Sequence, residues 1–317
     1  SNCKNCSQSP TPLRAAITWA CREGFHNNSN LLQQSRELGL FEAILDIAWR
    51  SMDVPEVTTE IALLLRSASR SAENRELIRE IGGIHFCCQI LCRSNPTINM
   101  SASGLKVIKE EEQRLLKQKL QVQKLKAACR AVVAVCYCEE RNIDALSKDN
   151  NVVEATISML STRGGDLNTL HLCVIVIPMF SRRGKQIVEQ FIQQHGMFWL
   201  CKRLEELIIK NFEAKNQHYK ILKKALIAVG TLCIRSEMAQ KSVRVNSGLK
   251  HITKVLKHVK DGIIPRKDIL KWESIVVACC DSLGHICKGS LLNQKEMLTI
   301  GGNSLLFYIL GDSDLRN

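Results

Sequence analysis

Six times along the chain, a short amphipathic stretch runs into a Gly or Asn and a second apolar stretch starts directly after it. The six segments are Asn27 to Trp49, Glu73 to Leu91, Glu140 to Leu160, Gly184 to Leu204, Glu237 to Leu256 and Leu292 to Leu310. The stops stand at Gly39, Gly83, Asn151, Gly196, Gly248 and Gly302, at spacings of 44, 68, 45, 52 and 54 residues. Gly and Asn tolerate the left-handed backbone that ends a helix, so the spacing predicts one helix stopping and another starting at each. An Ile, Leu, Val or Met lies four or five residues before five of the six stops, all but Gly39, on the turn that such a junction would bury.

Longer apolar stretches fill the gaps: Leu13 to Cys21, Glu56 to Leu65, Leu125 to Cys138, Leu167 to Phe180, Ile221 to Ile234 and Ile269 to Cys287. The unit is therefore a short helix, a second helix and a long third one, about 42 residues plus loops, a period in the range of armadillo and HEAT repeats. No such unit buries its apolar face alone, so neighbours must stack into one continuous core. The composition agrees: aromatics are 5% of the 317 residues and there are 6 prolines, which favours helix over strand. These features predict an all-α, right-handed armadillo-like solenoid of about six repeats over 1–317, with a charged insertion at 95–126 between the second and third. The opening Ser1-Asn2-Cys3-Lys4 reads as the start of an excised piece of a longer protein, with no targeting signal in view.

The junctions Glu73 to Ile84 and Asn293 to Gly302 resemble those of the armadillo-repeat family, and the resemblance extends over nearly the whole chain. It implies long third helices lining a groove that binds extended peptides or partner domains, without catalysis. Nuclear-import receptors of that family carry Trp-x-x-x-Asn on those helices. Here Trp19, Trp49, Trp199 and Trp272 are followed four positions on by Glu23, Asp53, Arg203 and Val276, so binding of nuclear signals is not expected. The corresponding position is read as Tyr137, Thr231 and His285. Among divergent members, the Cys-rich, irregular style is similar to the armadillo domain of Inscuteable adaptors and, to a lesser degree, to that of a meiotic telomere-bouquet protein. The first resemblance implies polarity-protein partners at the cell cortex and a link to spindle orientation.

Fifteen cysteines would form a disulfide framework in a small secreted domain, but here they are diluted along a long helical chain. Most sit inside apolar runs, where free Cys packs as a small hydrophobe. Cys3-Lys4-Asn5-Cys6 is the one C-x-x-C pair and no second pair answers it, so no metal site is expected. This implies a reducing compartment and a cytoplasmic protein. None of the eight histidines stands in a nucleophile arrangement, and His195 is read as a cation at a helix C-terminus. His251 and His258 flank a lysine face and are read as exposed. The loop Thr162 to Asp166 lacks the features of a phosphate cradle, and GxGxxG, HExxH and GxSxG are all absent. The expectation is a protein that is not an enzyme and needs no cofactor.

Net charge is +13, with an excess of +4 in 101–126 and +9 in 201–317. The insertion reads as a strong helix former, extending the third helix that begins near Leu125 or offering an amphipathic face for self-association. Lys250, Lys254 and Lys257 would share one helix face and form a basic patch. A solvated face, an acidic protein and nucleic acid compete to explain it. Only Tyr219 lies near these lysines in sequence, so stacking aromatics are missing and nucleic acid ranks last.

The resulting expectation is a scaffold whose groove binds extended or helical segments of a partner protein. Arg66, Arg130, Tyr137, Lys224, Thr231, Asp281 and His285 are the candidate contacts, since Arg and Tyr dominate interface energetics. Nucleic-acid or anionic-surface binding through the basic C-terminal repeats is the alternative.

Overall fold

The computed structural model describes residues 24–25, 28–93, 109–137, 139–161, 167–182, 184–209, 216–262 and 269–311. Among them lie seventeen α-helices, which fall into successive triads. The first three triads are α1 (Ser29–Glu37), α2 (Leu40–Arg50) and α3 (Pro55–Ala68), then α4 (Ala72–Glu80), α5 (Gly83–Arg93) and α6 (Lys109–Val135), then α7 (Glu140–Ser147), α8 (Asn150–Ser161) and α9 (Leu167–Ser181). They are followed by α10 (Lys185–Gln193), α11 (Gly196–Ile209) and α12 (Asn216–Cys233), then α13 (Glu237–Val245), α14 (Gly248–Lys260) and α15 (Ile269–Cys287), and finally the pair α16 (Leu291–Thr299) and α17 (Gly302–Gly311).

The chain divides into two compact units, 1–158 and 159–317. In the first, α3 packs along α6 and α2 against α5. In the second, each kind of helix stacks on its own kind: α10 meets α13 and α13 meets α16; α11 meets α14 and α14 meets α17; α9 meets α12 and α12 meets α15. Leu, Ile, Val and Cys fill both interiors, with Leu64, Ile90, Val132, Val229, Leu256 and Cys279 fully buried.

Local chemistry explains the junctions. Ser71, Ser236 and Ser290 cap the short first helices, each hydroxyl accepting a backbone N–H three residues on. The turn into the second helix is left-handed at Gly39, Gly82, His195, Ser247 and Gly301. This corrects the expectation for Gly83, Gly196, Gly248 and Gly302. These four begin the second helix, one residue after the left-handed position, and close packing is what requires glycine there. An added Cβ would lie 2.6 Å from Ile78 Cγ2 at Gly83, 2.6 Å from the Phe191 ring at Gly196 and 2.6 Å from Val243 Cγ1 at Gly248, and would collide with the Met297 methyl at Gly302. Each partner is the apolar residue five positions back. Where the first position of the second helix is Leu40 or Asn150, the residue five back is small, Ser35 or Ala145. Asn151 lies inside α8, and its N–H is held by Asp149 Oδ1 at 3.0 Å, a side chain taking the place of a left-handed residue. His195 is exposed, and it is its backbone that closes the turn, its N–H donating to Ile192 O.

Three asparagines stitch first helices to what precedes them. Asn74 Nδ2 donates to Ala68 O, Asn142 Nδ2 to Val135 O, and Asn293 Nδ2 to Ile286 O, each reaching the end of the preceding third helix. Asn142 also donates to Arg75 O and Asn293 to Gln240 O, in the first helix of the repeat before. All three side chains are buried.

Of the expected insertion, the described part from Lys109 continues α6 without a break. Lys124 in it is buried, its ammonium donating to Met52 O at 3.0 Å. Desolvation pushes its pKa down. The expected helix at Leu13 to Cys21, the Cys3–Cys6 pair and the Thr162 to Asp166 loop lie outside the described residues.

Candidate functional site

The third helices of the second unit carry the site. At the closest approach of α12 and α15, Gly230 faces Ser282, where a Cβ would come within 2.9 Å of the Ser282 Cα. Ser282 Oγ lies 2.7 Å from Leu226 O across the interface and 2.6 Å from Ala278 O in its own helix, so its one proton is shared between the two carbonyls. Two small residues and one bridging hydroxyl therefore fix the distance between the helices, and larger side chains on either side leave concavities above the contact.

One concavity, of about 350 Å³, is lined by Lys223 and Ile227 of α12 and by Glu273, Ser274, Val277, Ala278 and Asp281 of α15. Its floor is aliphatic, with a cation on one wall and two carboxylates on the other. Val277 is 57% exposed although it sits mid-helix between buried Val276 and Ala278. The second, of about 590 Å³, is lined by Cys280, Asp281, Gly284, His285, Cys287, Lys288 and Gln294. Asp281 belongs to both and stands between them.

The thiols in the second concavity are held protonated. Burial raises Cys280 and Cys287, and the Asp281 charge raises Cys280 further. Across the core the effect is larger: burial raises Cys129, Cys136 and Cys201 to about 12. The described cysteines are thiols rather than disulfides, eight buried and Cys92, Cys280 and Cys287 half-buried. No group of three His, Cys, Asp or Glu among the described residues could hold a metal. The chemistry on offer is shape, an apolar floor and opposed charges.

Asp281 and His285 come together with this site. Lys224 is exposed on α12, but its neighbour Lys223 is the residue that lines the concavity. The Thr231 hydroxyl is tied to its own helix, donating to Ile227 O at 2.7 Å. Arg66 on α3 and Arg130 on α6 are exposed on third helices of the first unit, and Tyr137 lies just beyond the end of α6, 64% exposed. The asparagine bonds set the register, since Val135 and Ile286 accept equivalent contacts. By that register Ala134 is the counterpart of His285, and Tyr137 that of Lys288. Glu273, Val277 and Lys288 escaped the sequence reading. An aliphatic residue out of phase with the buried ones on α15 was the signal for Val277.

Lys250, Lys254 and Lys257 are all exposed on α14. His251 and His258, read as exposed, are half-buried, and burial pushes both pKa values down. Among the described residues no helix is long and apolar enough to cross a membrane.

No protein family and no curated protein matches the sequence. Solved structures do. One is an engineered protein from the Northeast Structural Genomics Consortium, at TM-score 0.62 and 14% identity, covering 90% of this chain and 94% of that one. Another is a designed armadillo repeat protein in complex with the peptide (KR)4, at TM-score 0.55 and 12% identity, covering 88% of this chain and 95% of that one. The fold is thus an all-α, armadillo-like repeat solenoid.

Proposed function

We propose that the protein is a binding scaffold and that the concave, groove-lining face of α12 and α15 holds an extended or helical segment of a partner protein. The observation that carries this reading is Val277, an aliphatic side chain 57% exposed in the first concavity and flanked there by charges of both signs. An apolar ligand side chain would cover Val277 and Ile227. Asp281 would accept from a ligand backbone N–H or basic group, and Lys223 and Lys288 would meet acidic ones. The neighbour solved with the peptide (KR)4 supports peptide binding on this fold. A role as a cytoplasmic cell-polarity and spindle-orientation adaptor is the finer form of the same proposal, and it rests on sequence style. Arg66 and Arg130 would serve a comparable face of α3 and α6 in the first unit. Self-association through the start of α6 is a separate proposal, read as a mass above 35.7 kDa in solution.

The test is selection from a displayed peptide library, enriched with segments of polarity proteins. A shared motif should emerge with the unaltered chain and vanish with Val277→Arg and with Asp281→Lys, both exposed changes that leave the fold intact. Enrichment that survives both substitutions would sink the proposal.

A further inference from the structure

A second surface lies on the second helices of the same unit, away from the groove. α11, α14 and α17 pack side by side and each begins at a glycine, so their residues align by counting from Gly196, Gly248 and Gly302. Two positions on stand Phe198, Lys250 and Ser304; six positions on stand Lys202, Lys254 and Tyr308. α14 contains four lysines and two histidines and no acid. On α11 the Phe198 and Trp199 rings meet edge to face at 5.1 Å, and Lys202 Nζ hangs over both, 5.9 and 5.2 Å from their centroids. On the other flank Lys260 Nζ lies 4.8 Å from the Tyr308 centroid.

A row of cations is therefore bordered on both sides by surface rings, each with an ammonium resting on it. The rings come from about fifty residues away on either side in sequence, where reading along the chain does not find them. Among the described residues, Glu205 stands beside His251 and Asp261 beside His258, while Glu206 is engaged by Arg203. Opposed to them are Lys202, Lys250, Lys254, Lys257 and Lys260, so the face stays positive.

We propose that this face binds single-stranded nucleic acid. The lysines of α14 neutralise phosphates, while Lys202 and Lys260 swing off the rings toward the backbone and leave Phe198, Trp199 and Tyr308 to stack on bases. An acidic protein segment would use the lysines but gives the rings no role. A membrane would require rings at a protruding apolar tip, whereas Phe198 and Tyr308 are each 43% exposed and set among lysines.

Fluorescence anisotropy of a labelled mixed-sequence oligonucleotide, as DNA and as RNA, tests this on the 317-residue chain across a salt series. Heparin, a duplex of the same sequence and phosphatidylserine vesicles serve as competitors. The single strand should bind best, and log affinity should fall linearly with log salt. Lys250→Glu with Lys254→Glu and Lys257→Glu should abolish binding. Tyr308→Leu and Phe198→Leu, which keep an apolar side chain, should weaken it by roughly tenfold while heparin binding is unchanged. Val277→Arg should leave it untouched, which separates this site from the groove. The inference is overturned if no oligonucleotide binds, if heparin competes as well as the single strand and the ring variants have no effect, or if vesicles displace the oligonucleotide.

Discussion

Phe191 and Gly196 fit together as a ring and the space left by a missing side chain: a Cβ on Gly196 would lie within 2.7 Å of three carbons of the Phe191 ring. The ring is fully buried and lies against Phe180, 5.8 Å away centroid to centroid. Gly196→Ala should therefore overpack the α10–α11 junction and cost about 1–3 kcal/mol. Gly302→Ala should cost less, because the atom in the way is the terminal methyl of the flexible Met297. Urea melts of the two variants give the comparison.

At Gly230 the obstacle is backbone. The Ser282 Cα cannot move without moving α15, so Gly230→Ala should force α12 and α15 apart and break the Ser282–Leu226 hydrogen bond. A stability loss of about 1–3 kcal/mol should come with weaker peptide binding at the groove, although Gly230 touches no ligand. Titration of a selected peptide into wild type and variant reads both effects.

Asn142 joins two repeats through one amide group. Asn142→Asp replaces the donor by an acceptor facing Val135 O and Arg75 O, so two carbonyls lose their partner and meet a buried carboxylate. The expected loss is at least about 2 kcal/mol at neutral pH, larger than for Asn142→Leu, which leaves the carbonyls unpaired but adds no charge. Chemical denaturation of the pair decides the order.

Burial lowers His251 and His258 below their ordinary pKa of 6.5, and Lys254 lowers both further. In the unfolded chain these rings protonate first, so the unfolded state binds more protons as pH falls through 6.5 and stability drains away. Above 6.5 both states are neutral and the effect is absent. His251→Gln with His258→Gln should flatten the wild-type fall in melting temperature between pH 7.5 and the acid side of that window.

Thiol reactivity should divide by depth. At pH 8, iodoacetamide should reach Cys280, Cys287 and Cys92 before the fully buried Cys87, Cys129 and Cys233, which need denaturant. Even the first group should react slowly, since burial raises Cys92 to about 11. Peptide mapping by mass spectrometry gives the order.

The repeat was legible because helical periodicity and the junction glycines are both local signals. What the glycines do was legible only in part. Gly83 and Gly196 announce a junction, but their purpose lies in Ile78 and Phe191, and whether a Cβ collides is a matter of three dimensions. The left-handed turn was missed at His195 and Ser247 because each directly precedes a glycine, to which the turn was assigned instead. Asp281 and His285 were readable as surface positions of a third helix. Val277 needed the exact phase of α15, and the pairing of Gly230 with Ser282 needed the neighbouring helix. The rings at Phe198 and Tyr308 come near Lys254 only because second helices stack.

The exchange between Gly83 with Ile78 and Leu40 with Ser35 has a bearing on how such a chain can be rearranged. The large residue sits on either side of the junction as long as its counterpart is small. A crossover between repeats that cuts inside the turn would bring two bulky residues together or leave two small ones with a hole. A crossover in the loop before a third helix would carry each matched pair intact. Recombination, natural or engineered, should therefore tolerate breakpoints near 51–54 and reject those near 36–40 or 192–196.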